Sequence, residues 1–126
     1  MAEPINYAPG VTLSMSVSDM DRGIAWYEDV LGFKLLYRMD HLGWCELESS
    51  VKDVNVGLSV TETPKPGGAV PTFGVADIED AKAWLESKRV KIDGEVIQIE
   101  EMVRLLSFYD PDDNALMFFQ MLEGND

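Results

Sequence analysis

Cysteine and histidine are almost missing from this chain of 126 residues, in which Cys45 and His41 stand alone. A single cysteine excludes an intramolecular disulfide and any metal site built from several cysteines. A single histidine leaves little imidazole for metal ligation or general-base chemistry. Basic residues are also scarce: 10 Lys and Arg face 23 Asp and Glu, for a formal net charge of −13. Phosphate binding requires the opposite balance, so nucleic acid and anionic membrane are not expected partners, whereas a cationic ligand is compatible. No apolar run approaches the roughly 18 residues of a membrane span. No glycine-rich phosphate loop, nucleotide fingerprint or nucleophile–base arrangement is found. The first residues, Met1-Ala2-Glu3-Pro4, have neither the basic start nor the apolar run of a secretory signal, and the expected location is cytoplasmic.

What the chain does contain is ordinary for a globular protein, at 46% hydrophobic and 26% charged residues. Its length suits a single domain over 1–126 with one real core. The informative feature is a repeat. Val17, Asp19, Ala25 and Trp26 recur 58 residues later as Val75, Asp77, Ala83 and Trp84, with Met20/Ile78 and Asp21/Glu79 as conservative pairs. A duplicated structural unit follows. Its boundary falls at Thr63-Pro64-Lys65-Pro66-Gly67-Gly68, the one clear linker. This divides the chain into a first module at 10–62, a linker at 63–68 and a second module at 69–122.

Each module reads as βαβββ. Val11 to Val17 alternates apolar and polar residues, as a half-buried strand does. Ser18 is expected to cap the next helix, with Asp19 and Asp21 in its first turn. Ile24, Tyr27 and Leu31 form the apolar stripe of that helix, and Gly32 suits its left-handed stop. Strands follow at Phe33 to Met39, Trp44 to Glu48 and Val54 to Val60. The second module repeats the order: a strand at Thr72 to Val75, a helix at Asp77 to Lys88, then strands within Val90 to Ile99, Met102 to Tyr109 and Ala115 to Leu122. A turn is expected at Asp93-Gly94 and another at Asp110-Pro111-Asp112-Asp113-Asn114. Residues 1–9 read as irregular, and the last four as a frayed tail. The fold class is therefore α+β. Tandem βαβββ repeats are expected to form a curved, roughly eight-stranded sheet with the helices on its convex face. The polar rows Thr12/Ser14/Ser16, Asn55/Gly57/Ser59 and Thr72/Gly74 suit a wet concave side.

The stretch Val17-Ser18-Asp19, Trp26-Tyr27 and Val30-Leu31-Gly32-Phe33 resembles a pattern of the vicinal oxygen chelate superfamily. That superfamily contains glyoxalase I, extradiol dioxygenases, fosfomycin resistance enzymes and bleomycin resistance proteins. Val75-x-Asp77 and the turn from Asp110 to Asn114 resemble it too, so the likeness spans nearly the whole chain. The resemblance implies a divalent metal held on the concave face in the enzymes, at positions that here carry Thr12, Val70, Met117 and, by the internal repeat, Gly57. These are not the carboxylates or imidazoles that such a metal requires. No metal and no cofactor are therefore expected.

Repeat register aims Trp44, Glu46 and Glu48 at the groove. It aims Arg104, Leu106 and Phe108 there as well, with Met117, Phe119 and Met121 from the last strand. The candidate ligand-binding residues are thus Trp44, Glu46, Glu48, Arg104, Phe108, Met117 and Phe119, an apolar and polarisable set with two carboxylates and one guanidinium. The same positions also suit ordinary core, a dimer interface or a cross-strand ion pair. His41 falls in a turn, and Cys45 should be buried on the helix side. The resemblance implies a small-molecule-binding protein of the glyoxalase/bleomycin-resistance type, dimeric and metal-free, for a cationic or aromatic ligand. The alternative is a metal-dependent lyase or dioxygenase with a displaced ligand set drawn from His41, Glu46, Glu48 and Glu62. A third possibility is a domain retained for assembly.

Overall fold

A computed structural model of the chain describes residues 10–66 and 69–122. The expectations for the first nine residues, for the last four and for part of the linker fall outside that range. In the first half, strand β1 (Val11–Val17) leads to helix α1 (Met20–Leu31). Strand β2 (Lys34–Met39), a single 3₁₀ turn (Asp40–Leu42), β3 (Trp44–Glu48) and β4 (Val54–Val60) follow. In the second half, β5 (Thr72–Gly74) leads to α2 (Ile78–Ser87), then β6 (Lys91–Ile99), β7 (Val103–Tyr109) and β8 (Ala115–Met121). The order is βαβββ twice, as the repeat requires.

The strands make two four-stranded mixed sheets, ordered β1-β4-β3-β2 and β5-β8-β7-β6, rather than one continuous eight-stranded hydrogen-bonded sheet. In each, the first strand of the module lies parallel to the last and the remaining pairs are antiparallel. The helices cover one face. Val17, Tyr27, Leu47 and Leu58 of the first half join Ile78, Leu85, Leu106 and Phe108 of the second in one buried cluster. The alternation of β3 decides the placement of Cys45, which lies in that cluster, and burial pushes its thiol pKa up. A thiol held protonated in this way is packing, not a nucleophile.

The repeated aspartates act as the helix caps. Asp19 and Asp77 have nearly the same extended backbone, with φ of −142° at both. Asp19 accepts from Arg22 N, and Asp77 accepts from the backbone N–H groups of Glu79 and Asp80. The expectation that Ser18 caps α1 is corrected: its hydroxyl instead donates to Asp112 Oδ1 at 2.7 Å. The match of Asp19 to Asp77 is thus a match of cap to cap. Asp77→Ala should cost about 1 kcal/mol, the usual worth of a cap, seen as a small drop in the urea midpoint with unchanged slope. At the other end of α1, Gly32 takes φ 75° and its N–H closes on Glu28 O, the left-handed stop that favours glycine.

The expected turn at Asp93-Gly94 is a bulge inside a continuous β6. The register to β7 slips between Asp93 and Ile97, with Gly94 at φ 72°. A left-handed glycine can absorb an extra residue in a strand as readily as it can reverse one. Polar bonds tie the two modules together. Tyr27 Oη donates to Asp110 Oδ2 at 2.9 Å, Asn114 Nδ2 to the carbonyl of Ser16 at 2.7 Å, and Trp84 Nε1 to the carbonyl of Val30 at 2.8 Å. The residues of the turn that resembled the family pattern therefore join the modules. No helix among the described residues is long and apolar enough to cross a membrane.

Candidate functional site

The face of the first sheet turned away from the helices is built in rows. Thr12 lies beside Asn55, and Asn55 beside Glu48; Ser14 lies beside Gly57, Gly57 beside Glu46, and Glu46 beside Tyr37. The next row carries Ser16, Ser59, Trp44 and Met39. Strand alternation puts each of these side chains opposite the buried Cys45, Leu47, Val56 and Leu58.

Glu46 is the centre of this face. Its Oε2 accepts from Thr12 Oγ1 at 3.0 Å and from Asn55 Nδ2 at 2.9 Å, and its Oε1 accepts from Tyr37 Oη at 2.9 Å. Tyr37 Oη in turn accepts from Trp44 Nε1 at 3.3 Å. Three donors from three strands thus converge on one carboxylate. The amide of Asn55 lowers its pKa most, outweighing desolvation, with help from Tyr37 and Thr12. Stability contributed by such a depressed acid is present above its ordinary value and lost as pH falls through the lower folded one. Carboxyl-carbon NMR should find Glu46 titrating below 4.5, the reference value for its type. Asn55→Ala should return it towards that value; an unchanged midpoint would remove Asn55 as the main cause.

Trp44 lies flat across Gly57. A Cβ at position 57 would stand 1.9 Å from the indole Cη2 and 2.3 Å from its Cζ2, so only glycine leaves room for the ring. The second module repeats the device. Phe119 covers Gly74, where a Cβ would meet its Cζ at 2.9 Å. Each sheet therefore carries a half-buried aromatic ring seated on the glycine of a neighbouring strand. Beside the Glu46 cluster a cavity of about 680 Å3 opens, walled by Thr12, Asn55, Glu48, Leu36 and Val51, within the size range of small-molecule sites.

The structure brings Trp44, Glu46 and Glu48 onto this face, and it sets Met117 and Phe119 on the corresponding face of the second sheet, beside Ser107 and Leu105. It does not bring Arg104 or Phe108 there. Phe108 is 0% exposed in the core, its ring 4.6 Å from that of Phe118. Arg104 bonds Glu79 of α2 at 2.7 Å, and Leu106 is buried with Phe108. The reason is a register difference of one residue. Gly57 pairs with Glu46 in the first module, but its counterpart Met117 pairs with Ser107 rather than with Leu106 in the second. Because side chains alternate strictly, that single residue exchanges the faces of β7. Tyr37 was missed for a similar cause: a register shift between Leu35 and Tyr37 breaks the alternation of β2 where its direction had to be read.

A divalent metal does not fit the positions that the family resemblance indicated. The Thr12 hydroxyl donates to Glu46, Gly57 lies under an indole ring, and Val70 and Met117 offer a hydrocarbon and a thioether, poor partners for a hard cation. His41, Glu46, Glu48 and Glu62 are not gathered either. Among the described residues, no three His, Cys, Asp or Glu side chains are disposed to hold a metal ion.

Comparison with solved structures finds the fold repeatedly. An integron cassette protein from the mobile metagenome of the Halifax Harbour sewage outfall superposes with a TM-score of 0.76 at 26% identity, covering 89% of this chain and 97% of that one. TnmS3, an antibiotic binding protein from a Streptomyces species, gives 0.74 at 23% identity, with 95% and 99% covered. The fosfomycin resistance protein FosX of Listeria monocytogenes gives 0.77 at 10% identity, with 95% and 98% covered. At the identities of the last two, the likeness is one of fold. No curated protein matches the sequence at a significant level. The family model of the Glyoxalase/Bleomycin resistance protein/Dioxygenase superfamily matches residues 11–118. With that match over most of its length, and with this fold, the chain belongs to that superfamily.

Proposed function

We propose that this protein binds a small cationic or aromatic molecule on the grooved face of its sheets, without a metal and without breaking a bond in it. The observation that carries this reading is the Glu46 cluster. A carboxylate held ionised by three donors stands beside an indole seated flat on Gly57. A preset negative charge next to a partly exposed aromatic ring suits a planar or cationic group. The hydroxyl protons of Thr12 and Tyr37 are both spent on Glu46, so the cluster offers acceptors to a ligand. The net charge of −13 adds attraction at longer range. An antibiotic binding protein is among the relatives in fold, which fits binding of a small molecule without chemistry on it.

The working unit is a homodimer. Ile97, Ile99 and Met121 are exposed, and their registers set them on the same face as Phe119 and Leu105. An exposed apolar face of this kind is what a second copy covers in a symmetric dimer. Light scattering after size exclusion should give twice the chain mass, and Ile97→Asp with Ile99→Asp should halve it.

Binding to the folded state raises the melting temperature by mass action. A thermal-shift screen of cationic and aromatic compounds should therefore return hits that Trp44→Ala and Glu46→Gln weaken. Hits unaffected by both changes, or a broad library with none, would overturn the reading. Stoichiometric divalent metal that survives mild chelation of the purified protein would overturn its metal-free part.

A further inference from the structure

A second cavity, of about 480 Å3, lies in the helix layer at the seam between the modules. It shares no side chain with the Glu46 cluster itself, while Ser50 and Val51 wall both this cavity and the one beside that cluster. Phe33 from the end of α1, Phe73 of β5, Phe118 of β8, and Ala81 and Trp84 of α2 give it an apolar interior, with Asp80 as its acid. Two of these rings are fixed edge to face, Phe33 and Phe73, with centroids 5.9 Å apart. Two ties between the helices brace the space. Trp84 Nε1 donates to the carbonyl of Val30 at 2.8 Å, which satisfies a carbonyl in the last turn of α1. Lys88 Nζ reaches Asp29 at 3.1 Å while standing 4.9 Å over the Trp84 ring. The cavity is thus held open by bonds made whether or not anything fills it, and a preformed site spares a ligand the cost of ordering it.

Asp80 sets the chemistry. Its own backbone N–H is taken by the cap Asp77, but its carboxylate has no partner among the described residues. The lysine within α2, Lys82, is engaged with Glu95 at 3.5 Å. An apolar, aromatic-walled space with one free carboxylate complements a molecule that has a ring at one end and a positive charge at the other.

We propose that this seam cavity is a second binding site, for a small aromatic amine whose ring lies among Phe33, Phe73, Phe118 and Trp84 and whose ammonium meets Asp80. The site uses none of the Glu46 cluster, borders the groove cavity at Ser50 and Val51, and does not depend on the function proposed for that face. Because Asp80 is solvent-exposed, its charge adds only a few-fold to affinity, and burial of the ring supplies most of the binding.

The test uses 2-phenylethylamine as probe, with 2-phenylethanol and phenylacetate as neutral and anionic counterparts, on the full chain labelled with 15N. The indole N–H of Trp84 reports on the seam, and that of Trp44 reports on the groove. The amine should shift the Trp84 signal saturably, the alcohol should bind a few-fold more weakly, and the acid weakest. Ala81→Leu, which fills the cavity with a good helix former, should weaken the amine at least tenfold. Asp80→Asn, on an exposed first turn that can tolerate it, should erase the difference between amine and alcohol. Trp44→Ala should leave the Trp84 response intact. A Trp84 signal that does not move, phenylacetate binding as well as the amine, or Asp80→Asn leaving the amine's advantage would each overturn the proposal. A Trp84 response lost in Trp44→Ala would merge the two sites and overturn their separation while leaving the groove reading standing.

Discussion

Asp110→Ala should lower stability by about 3–5 kcal/mol, the upper range for a single change. The Asp110 carboxylate is buried and accepts four hydrogen bonds. These come from the Tyr27 hydroxyl at 2.9 Å, the side-chain amide of Asn114 at 2.8 Å, and the backbone N–H groups of Asp112 and Asn114, each at 2.9 Å. Removing the acceptor strands all four donors, and a buried unsatisfied donor costs roughly 1–3 kcal/mol. Relaxation and water entry recover part of that, so the sum falls below four full penalties. The loss is also a loss of cohesion, since Tyr27 belongs to the first module and Asp110 to the second. For a domain of this size the fall in melting temperature should be roughly 11–19 °C, and urea unfolding gives the free energy directly. Tyr27→Phe, which strands no donor and leaves the carboxylate three, should cost about 1–3 kcal/mol. An Asp110→Ala variant within 1 kcal/mol of the parent would show that the turn does not join the modules as described.

Gly57→Ala should do the reverse, leaving the fold nearly as stable and disabling the groove. Alanine has no difficulty with a strand backbone, but its methyl group would occupy the place of the Trp44 ring, 1.9 Å from Cη2. The indole is the part that can move. It should leave the sheet, withdraw its N–H from Tyr37 Oη and free that oxygen as an acceptor next to Glu46. Any ligand that the groove reading identifies should then bind more than tenfold more weakly, that is by at least 1.4 kcal/mol. The melting temperature should stay within a few degrees. The Trp44 indole N–H resonance reports the displacement without a ligand. Unchanged affinity with a displaced ring would detach Trp44 from binding, and an unmoved ring would contradict the packing.

The two variants probe features that stood differently in the sequence. Asp110 sat in a turn noticed for its resemblance, but nothing in the string Asp110-Pro111-Asp112-Asp113-Asn114 indicates that the first carboxylate is buried against a tyrosine 83 residues away. The Gly57–Trp44 contact was equally invisible, because a glycine in a strand looks like a weakness until its neighbour's side chain is seen over it. Glu46 and Trp44 could be assigned a face by counting along β3, where no bulge intervenes. Tyr37, Arg104 and Phe108 could not. One lies beyond a register shift, and the other two lie on a strand whose pairing register differs from its counterpart's by one residue. The seam cavity arises from both modules at once and has no local signature.

The sequence by itself determined the duplication, the order βαβββ in each half, the glycine stop of the first helix and the burial of Cys45. These follow from patterns of period two or four and from single residues at caps and stops, which act over a few neighbours. Only the tertiary structure decided which face of β7 is buried, that Thr12, Tyr37 and Asn55 meet on Glu46, and that the two halves are joined through Tyr27 and Asp110. Those outcomes depend on register between strands far apart in the chain, where a shift of one residue exchanges inside for outside.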